Sequence, residues 1–238
     1  MRKKRPRTHR IALDLPAAGM KGVFYWGVYA GLPSNFVVDR VYGRSSGAML
    51  GACILCGVEG AMIWALYARV QHLNKTHPIV DSWCTALTEI LPHNAHVLCS
   101  KRLFVTVMVL GMFPVTTSYF RDKHHLIETL RASGSVPMIT TRKVCFTSWN
   151  LPVLDGGLRD LVAPPKCLGK AKHACAGGPG RCGAGKGMLH LLRVQAPQTL
   201  ALSAQCTRSV VKHTLAMGVA EAATGKLNWS HVRQTRYE

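Results

Sequence analysis

The chain has 238 residues, with 30 Lys and Arg against 11 Asp and Glu, and a formal charge of +19. With 48% apolar residues at that length it can bury a sizeable core, which excludes a disordered basic tail. The charge calls for an anionic partner, a membrane surface or a nucleic acid, and does not choose between them.

Met1 to Arg10 holds six Lys and Arg and is expected to be a solvated basic arm, suited to lipid headgroups or nuclear import. Asp14 and Lys21 interrupt what would otherwise read as the apolar part of a signal peptide. Ile11 to Leu15 reads as a first strand, Pro16 to Gly19 as a turn, and Met20 to Leu32 as a helix. Phe36 to Tyr42 reads as a second strand leading into Gly43-Arg44-Ser45-Ser46-Gly47. A long apolar helix is expected next. Ala48 to Leu66 has 19 residues and only one charge, Glu59. That is long enough to cross a membrane, but its three glycines and the motif before it favour a helix buried in a domain core. His72 to Leu98 is mixed and polar, as short helices and loops are. Leu103 to Leu110 is a β-branched run typical of a strand covered on both faces. Lys123 to Ala132 reads as a helix, Pro152 to Leu154 as a short strand, Leu189 to Gln195 as a late strand, and Ser203 to Ala223 as a closing helix.

Strands alternating with helices predict an α/β domain with a largely parallel sheet over residues 11–238. A Gly/Lys/Cys-rich insertion is expected at about 166–187. Nine cysteines, an odd number with no signal peptide, read as reduced thiols in an intracellular protein. Cys53 and Cys56 form a C-x-x-C inside an apolar stretch and read as small buried hydrophobes. Cys167, Cys175 and Cys182, with His173 and His190, lack the short paired spacing of a zinc site. Gly180 to Lys186 fits G-x-x-x-x-G-K, but Gly187 stands where a phosphate-binding loop needs Ser or Thr.

The G-x-S-x-G at Gly43–Gly47, between a strand and a helix, is expected to lift the Ser45 hydroxyl above the sheet beside a helix N-terminus. Serine becomes a nucleophile only with a base to take its proton and donors to hold the developing oxyanion. The Ala18-Gly19-Met20 turn could supply such donors. The base could be a carboxylate or a late histidine such as His173, His190 or His213, as in an α/β-hydrolase. Only two expected strands precede Ser45, which counts against that fold. Arg44 reads either as a headgroup contact or as a solvated charge.

Three motifs in order resemble those of patatin-like phospholipases: Ala17-Ala18-Gly19-Met20-Lys21-Gly22, then Gly43 to Gly47, then Asp155-Gly156-Gly157. Gly27-Val28 and Leu130 to Pro137 match supporting stretches, and the resemblance covers about residues 11–165. It implies a three-layer α/β/α fold with a mostly parallel sheet, Ser45 as nucleophile and Asp155 as base. The amides of Ala18, Gly19 and Met20 would form the oxyanion hole, with Gly22, Gly43, Gly47 and Gly156 as motif glycines. The implied reaction hydrolyses fatty-acyl esters of phospholipids or other glycerolipids through an acyl-enzyme, without a metal or organic cofactor. That substrate implies a cytoplasmic protein associated peripherally with anionic membrane, which makes nucleic acid the lesser partner. The chain departs from the pattern at Ala17 and Ala18, where the family has glycines. If either had to take left-handed backbone, its Cβ would cost about 1–2 kcal/mol and displace the amides. The alternative is therefore a catalytically impaired patatin-like module that binds lipid or nucleic acid.

Overall fold

The computed structural model describes residues 8–142, 144–147, 150–159, 189–194 and 233–235. Strand β1 (His9–Leu15) leads through a 3₁₀ turn (Gly19–Gly22) into α1 (Val23–Ala30). Strand β2 (Phe36–Gly43) is followed by α2 (Ser46–Leu55), α3 (Gly60–Leu73), α4 (Ile79–Ile90) and α5 (Ala95–Cys99). Then come β3 (Leu103–Val109), β4 (Phe113–Thr117), α6 (Lys123–Ser133), β5 (Cys145–Phe146), β6 (Pro152–Leu154), β7 (Leu189–Arg193) and β8 (Arg233–Thr235).

The eight strands among the described residues join one sheet in the order β5-β6-β3-β2-β1-β7-β8, with β4 also paired to β3. The four central strands β7, β1, β2 and β3 are parallel, and antiparallel strands extend both margins. This is a mixed α/β fold with a mostly parallel central sheet and helices packed on it. The central position of β1 explains its sequence: Ile11 to Leu15 is buried on both faces, Asp14 included. Helix α2, buried along its whole length, lies on β1, β2 and β3. Gly51 lets it approach so closely that a Cβ there would press on Val41 and Leu103.

The apolar stretch Ala48 to Leu66 is divided between two helices rather than forming one. Gly57 takes left-handed backbone (φ 66°) and ends α2. The Gly57 N–H donates to the Ile54 carbonyl at 3.1 Å and the Val58 N–H to the Cys53 carbonyl at 3.0 Å, which closes a Schellman turn. No helix among the described residues is long and apolar enough to cross a membrane. His72 to Leu98 contains a regular helix, α4, with Val80, Trp83, Cys84 and Leu87 on its buried side. Strand β1 takes in His9 and Arg10 from the expected arm. The expected closing helix, the 166–187 insertion and residues 1–7 lie outside the described residues.

Candidate active site

The register of the sheet brings two distant strand ends together. In β2, Gly43 lies opposite Val105 of β3, and in β6, Leu154 lies opposite Met108 of the same strand. Strand β2 runs parallel to β3 and β6 antiparallel to it. Their ends therefore converge beside Thr106 and Val107, and the next residues to leave each strand include Ser45 and Asp155.

Ser45 occupies the N-cap position of α2 with φ 51° and ψ −127°, a conformation that side-chain-bearing residues seldom adopt. Packing imposes it. The Ser45 N–H donates to Ser133 Oγ at 3.0 Å, and the Ser133 hydroxyl in turn donates to the Thr106 carbonyl at 2.7 Å. The Arg44 N–H donates to the Leu15 carbonyl at 3.1 Å. On either side of the turn there is no room for a side chain: a Cβ on Gly43 would strike the Ala48 backbone, and one on Gly47 the carbonyls of Leu15 and Pro16. Gly22 lies against Ser46, 3.2 Å from where its own Cβ would stand.

Asp155 is fixed from both sides of its peptide. Its N–H donates to the Ser135 carbonyl at 2.8 Å, and the Gly156 N–H donates to the Ser133 carbonyl at 2.9 Å. Gly156 is pressed so closely on the Thr106 carbonyl that a Cβ would overlap it. Of the two carboxylate oxygens, Oδ1 accepts the Gly157 N–H at 2.6 Å and Oδ2 accepts the Ser45 hydroxyl at 2.9 Å. Burial pushes the Asp155 carboxyl above its ordinary value, and these two hydrogen bonds offset part of that rise. The result is a desolvated carboxylate, more basic than one in water, in direct reach of a serine hydroxyl.

The loop after β1 packs against the Ser45 turn. Neither Ala17 nor Ala18 takes left-handed backbone; Ala18 has φ −143°, and Gly19 alone takes the positive φ, 53°. The two alanines therefore carry no conformational penalty. Of the three amides expected at the oxyanion, that of Ala18 donates instead to Ser46 Oγ at 3.1 Å. Those of Gly19 and Met20 open the 3₁₀ turn, and neither has an acceptor among the described residues.

Beside them lies a cavity of about 280 Å³, lined by the loop together with Ser45 and Asp155. Met49, Ile79, Val80 and Trp83 supply its apolar lining. Gly134 keeps it open: a Cβ there would stand 3.6 Å from Ser45 Oγ, 3.1 Å from Met49 Cε and 3.2 Å from Val80 Cγ2.

Two residues that shape this site were not singled out by sequence reasoning, and the reading of a third is corrected. Ser133 holds the Ser45 amide, and Ser46 holds the Ala18 amide. Arg44 is neither a headgroup contact nor a solvated charge; it is buried and pairs with buried Asp14 of β1 at 3.1 Å. A buried pair 30 positions apart leaves no local pattern. Ser133 was visible only as part of the Leu130–Pro137 stretch. The C-x-x-C thiols do not pair with each other: Cys56 Sγ lies 3.8 Å from Cys99 Sγ, and burial pushes the Cys53 thiol strongly up. Among the described residues no group of three His, Cys, Asp or Glu is placed to hold a metal. Cys167, His173, Cys175, Cys182 and His213, the Gly180–Lys186 segment and the side chain of His190 lie outside what is described.

No protein-family model matches the chain, and no curated protein matches it. Among solved structures it is similar to VipD from Legionella pneumophila, at 14% identity and a TM-score of 0.36 over 66% of this chain and 51% of that one. The chain thus spans about half the length of that protein. Likeness at that level says nothing about activity, and the chemistry has to be read from the site.

Proposed function

We propose that the protein is a serine acyl hydrolase that cleaves fatty-acyl esters of phospholipids or other glycerolipids with a Ser45–Asp155 dyad. The observation that carries this reading is the 2.9 Å hydrogen bond from Ser45 Oγ to Asp155 Oδ2, made by a serine in strained backbone at the mouth of an apolar cavity. Strain, a buried base and a lined cavity at one atom make acyl transfer the simplest chemistry for it.

In the proposed reaction, Asp155 Oδ2 accepts the Ser45 proton as Oγ attacks the ester carbonyl. The oxyanion meets the Gly19 and Met20 amides, with the N-terminal end of α2 adding positive potential. Collapse of the tetrahedral intermediate expels the alcohol, which leaves with the proton from Asp155, and the acyl group stays on Ser45. Asp155 then deprotonates a water that attacks the acyl-enzyme, and the fatty acid departs as Ser45 regains its proton. The raised affinity of Asp155 for a proton helps each transfer, provided that the carboxyl is ionised at the start. Met20, Met49, Ile79, Val80 and Trp83 suit the acyl chain. Gly22, Gly43, Gly47 and Gly156 give the dyad and the loop their close packing.

The experiment is release of fatty acid from phospholipid vesicles. Ser45→Ala should reduce the rate by on the order of 10³-fold or more while the fold survives. Equal rates for the variant and the wild type would sink the reading. Engagement of the Ala18 amide by Ser46 is the observation that favours a second reading, an impaired module that binds lipid without turnover. That reading expects vesicle binding with no Ser45-dependent release.

A further inference from the structure

At the end of the sheet where Ser45 lies, apolar side chains face solvent instead of the core. The β3–β4 turn begins at Leu110, five residues and so roughly 16 Å beyond the level of Gly43, which pairs with Val105. Met112 and Phe113 at its tip are 62% and 58% exposed. The Leu110 N–H donates to the Pro152 carbonyl, and Phe146 pairs with Pro152, so exposed Phe146 and Leu151 stand beside that tip. On the loop between α6 and β5, Met138 and Ile139 are 90% and 76% exposed.

That loop is anchored below its apolar tip. The Met138 N–H donates to the Thr141 carbonyl. Thr140 Oγ1 donates to the Gly134 carbonyl at 2.8 Å and accepts the Val136 N–H at 2.7 Å. The Val80 N–H donates to the Thr140 carbonyl at 2.9 Å. Thr140 and Gly134 also line the Ser45 cavity, so one loop wall belongs to both surfaces. Met138 (φ 65°) and Leu110 (φ 53°) both sit in left-handed backbone, where surrounding structure must hold a side-chain-bearing residue. Neither side chain is buried for the effort.

Charge identifies the partner. The segments that carry the apolar residues, 101–121 and 129–154, contain no Asp or Glu, and exposed Arg142 follows the Met138–Ile139 tip. An exposed apolar patch on segments that carry no acid of their own, with the one acid that bonds the Met138–Ile139 loop, Asp81, paired to Arg131, on a chain of charge +19, matches a bilayer with anionic headgroups. Resting on the reading of Ser45 as the nucleophile of a lipid acyl hydrolase, we propose that Met138, Ile139, Leu110, Met112, Phe113 and Phe146 form a membrane-docking rim. The rim enters the headgroup layer of an anionic bilayer and sets the cavity mouth against the lipid.

The test uses the full chain and phosphatidylcholine vesicles with and without phosphatidylserine. Met138→Ser/Ile139→Ser removes apolar area and leaves every charge in place. It should weaken flotation with phosphatidylserine vesicles by tenfold or more, and leave labelling of Ser45 by a soluble fluorophosphonate unchanged when no vesicles are present. Met112→Ser/Phe113→Ser, on the other side of the rim, should act in the same direction, which guards against one loop failing to fold. Undiminished vesicle binding by both variants would overturn the docking rim, as would a wild type that does not bind. Self-association of the wild type that the substitutions abolish, without vesicle binding, would make the rim a protein interface and overturn it too. Rim-dependent vesicle binding with no labelling of the wild type at Ser45 would support the rim while removing the hydrolase reading.

Discussion

The connection from β2 into α2 and the connection from β1 into the 3₁₀ turn are hydrogen-bonded to each other and both line the cavity, and each has one residue in left-handed backbone: Ser45 at φ 51° and Gly19 at φ 53°. At the first connection a residue with a side chain is forced there, at a cost of about 1–2 kcal/mol. Ser133 grips its amide, and Gly47 is wedged against two carbonyls. At the second the residue is a glycine, and a Cβ on it would meet nothing within 4 Å. The first connection is tightly packed and strained, and the second has space around its glycine and no strain. In the loop after β1 the left-handed position is at 19, so Ala17 and Ala18 need no backbone freedom that their side chains would deny.

The contrast can be broken by substitution. Gly47→Ala puts a methyl into the Leu15 and Pro16 carbonyls and should cost roughly 3 kcal/mol or more by denaturant midpoint. Gly19→Ala should cost only about 1–2 kcal/mol, from backbone strain alone. Similar losses at both positions would show that the two connections do not differ in this way. Ser133→Ala strips the grip on the Ser45 amide and should cost about 1–3 kcal/mol, with a fall in turnover larger than any change in vesicle binding. A smaller effect separates two variants that both lack the hydroxyl. Ser45→Gly should be more stable than Ser45→Ala by about 1 kcal/mol, the reverse of the usual order for these residues, because only glycine relaxes at that φ.

The smallest effect concerns pH. Burial holds the Asp155 carboxyl above the ordinary aspartate value of 3.8, so between that value and the raised one the folded state keeps a proton that the unfolded chain has lost. Wild-type stability should therefore gain on that of Asp155→Asn as pH falls through this window, with the buried charge fully penalised above it. Thermal midpoints across pH would check this. A gap that widens against the wild type on acidification would reverse the sign of the shift. Turnover has the opposite dependence, because the base must be ionised, and its acid limb should lie above the ordinary aspartate range.

Much of the parallel core was legible in the residues. Ile11 to Leu15 read as a strand, Leu103 to Leu110 as one covered on both faces, of which only Leu110 falls outside β3, and the strand–turn–helix at Ser45 was visible from its small neighbours. Strand β4 was not, because Leu110 itself takes the left-handed turn position and Pro114 looks like a strand breaker, which an antiparallel margin tolerates. The break in Ala48 to Leu66 was hidden because the apolar run continues through Cys56 and Val58, and Gly57 reveals itself as a helix end only through its φ. Helix α4 was obscured by Ser82, Thr85 and Thr88, which have weak helical preference; packing of Trp83 against Tyr67, at 5.1 Å, overrides it. At the site, Ser45, Asp155 and Gly19 were marked by their motifs. The supporting hydroxyls of Ser46 and Ser133 act on amides 28 and 88 positions away, and no local pattern announces a partner at that range.

The most direct measurement is reaction of the purified chain with a fluorophosphonate, followed by mapping of the modified residue by mass spectrometry. The dyad predicts a single adduct on Ser45 Oγ, lost in Ser45→Ala and slowed by at least about 100-fold in Asp155→Asn, where the base is gone and the fold remains. An adduct on another residue, or labelling of Asp155→Asn at the wild-type rate, would contradict Ser45 as a nucleophile activated by Asp155.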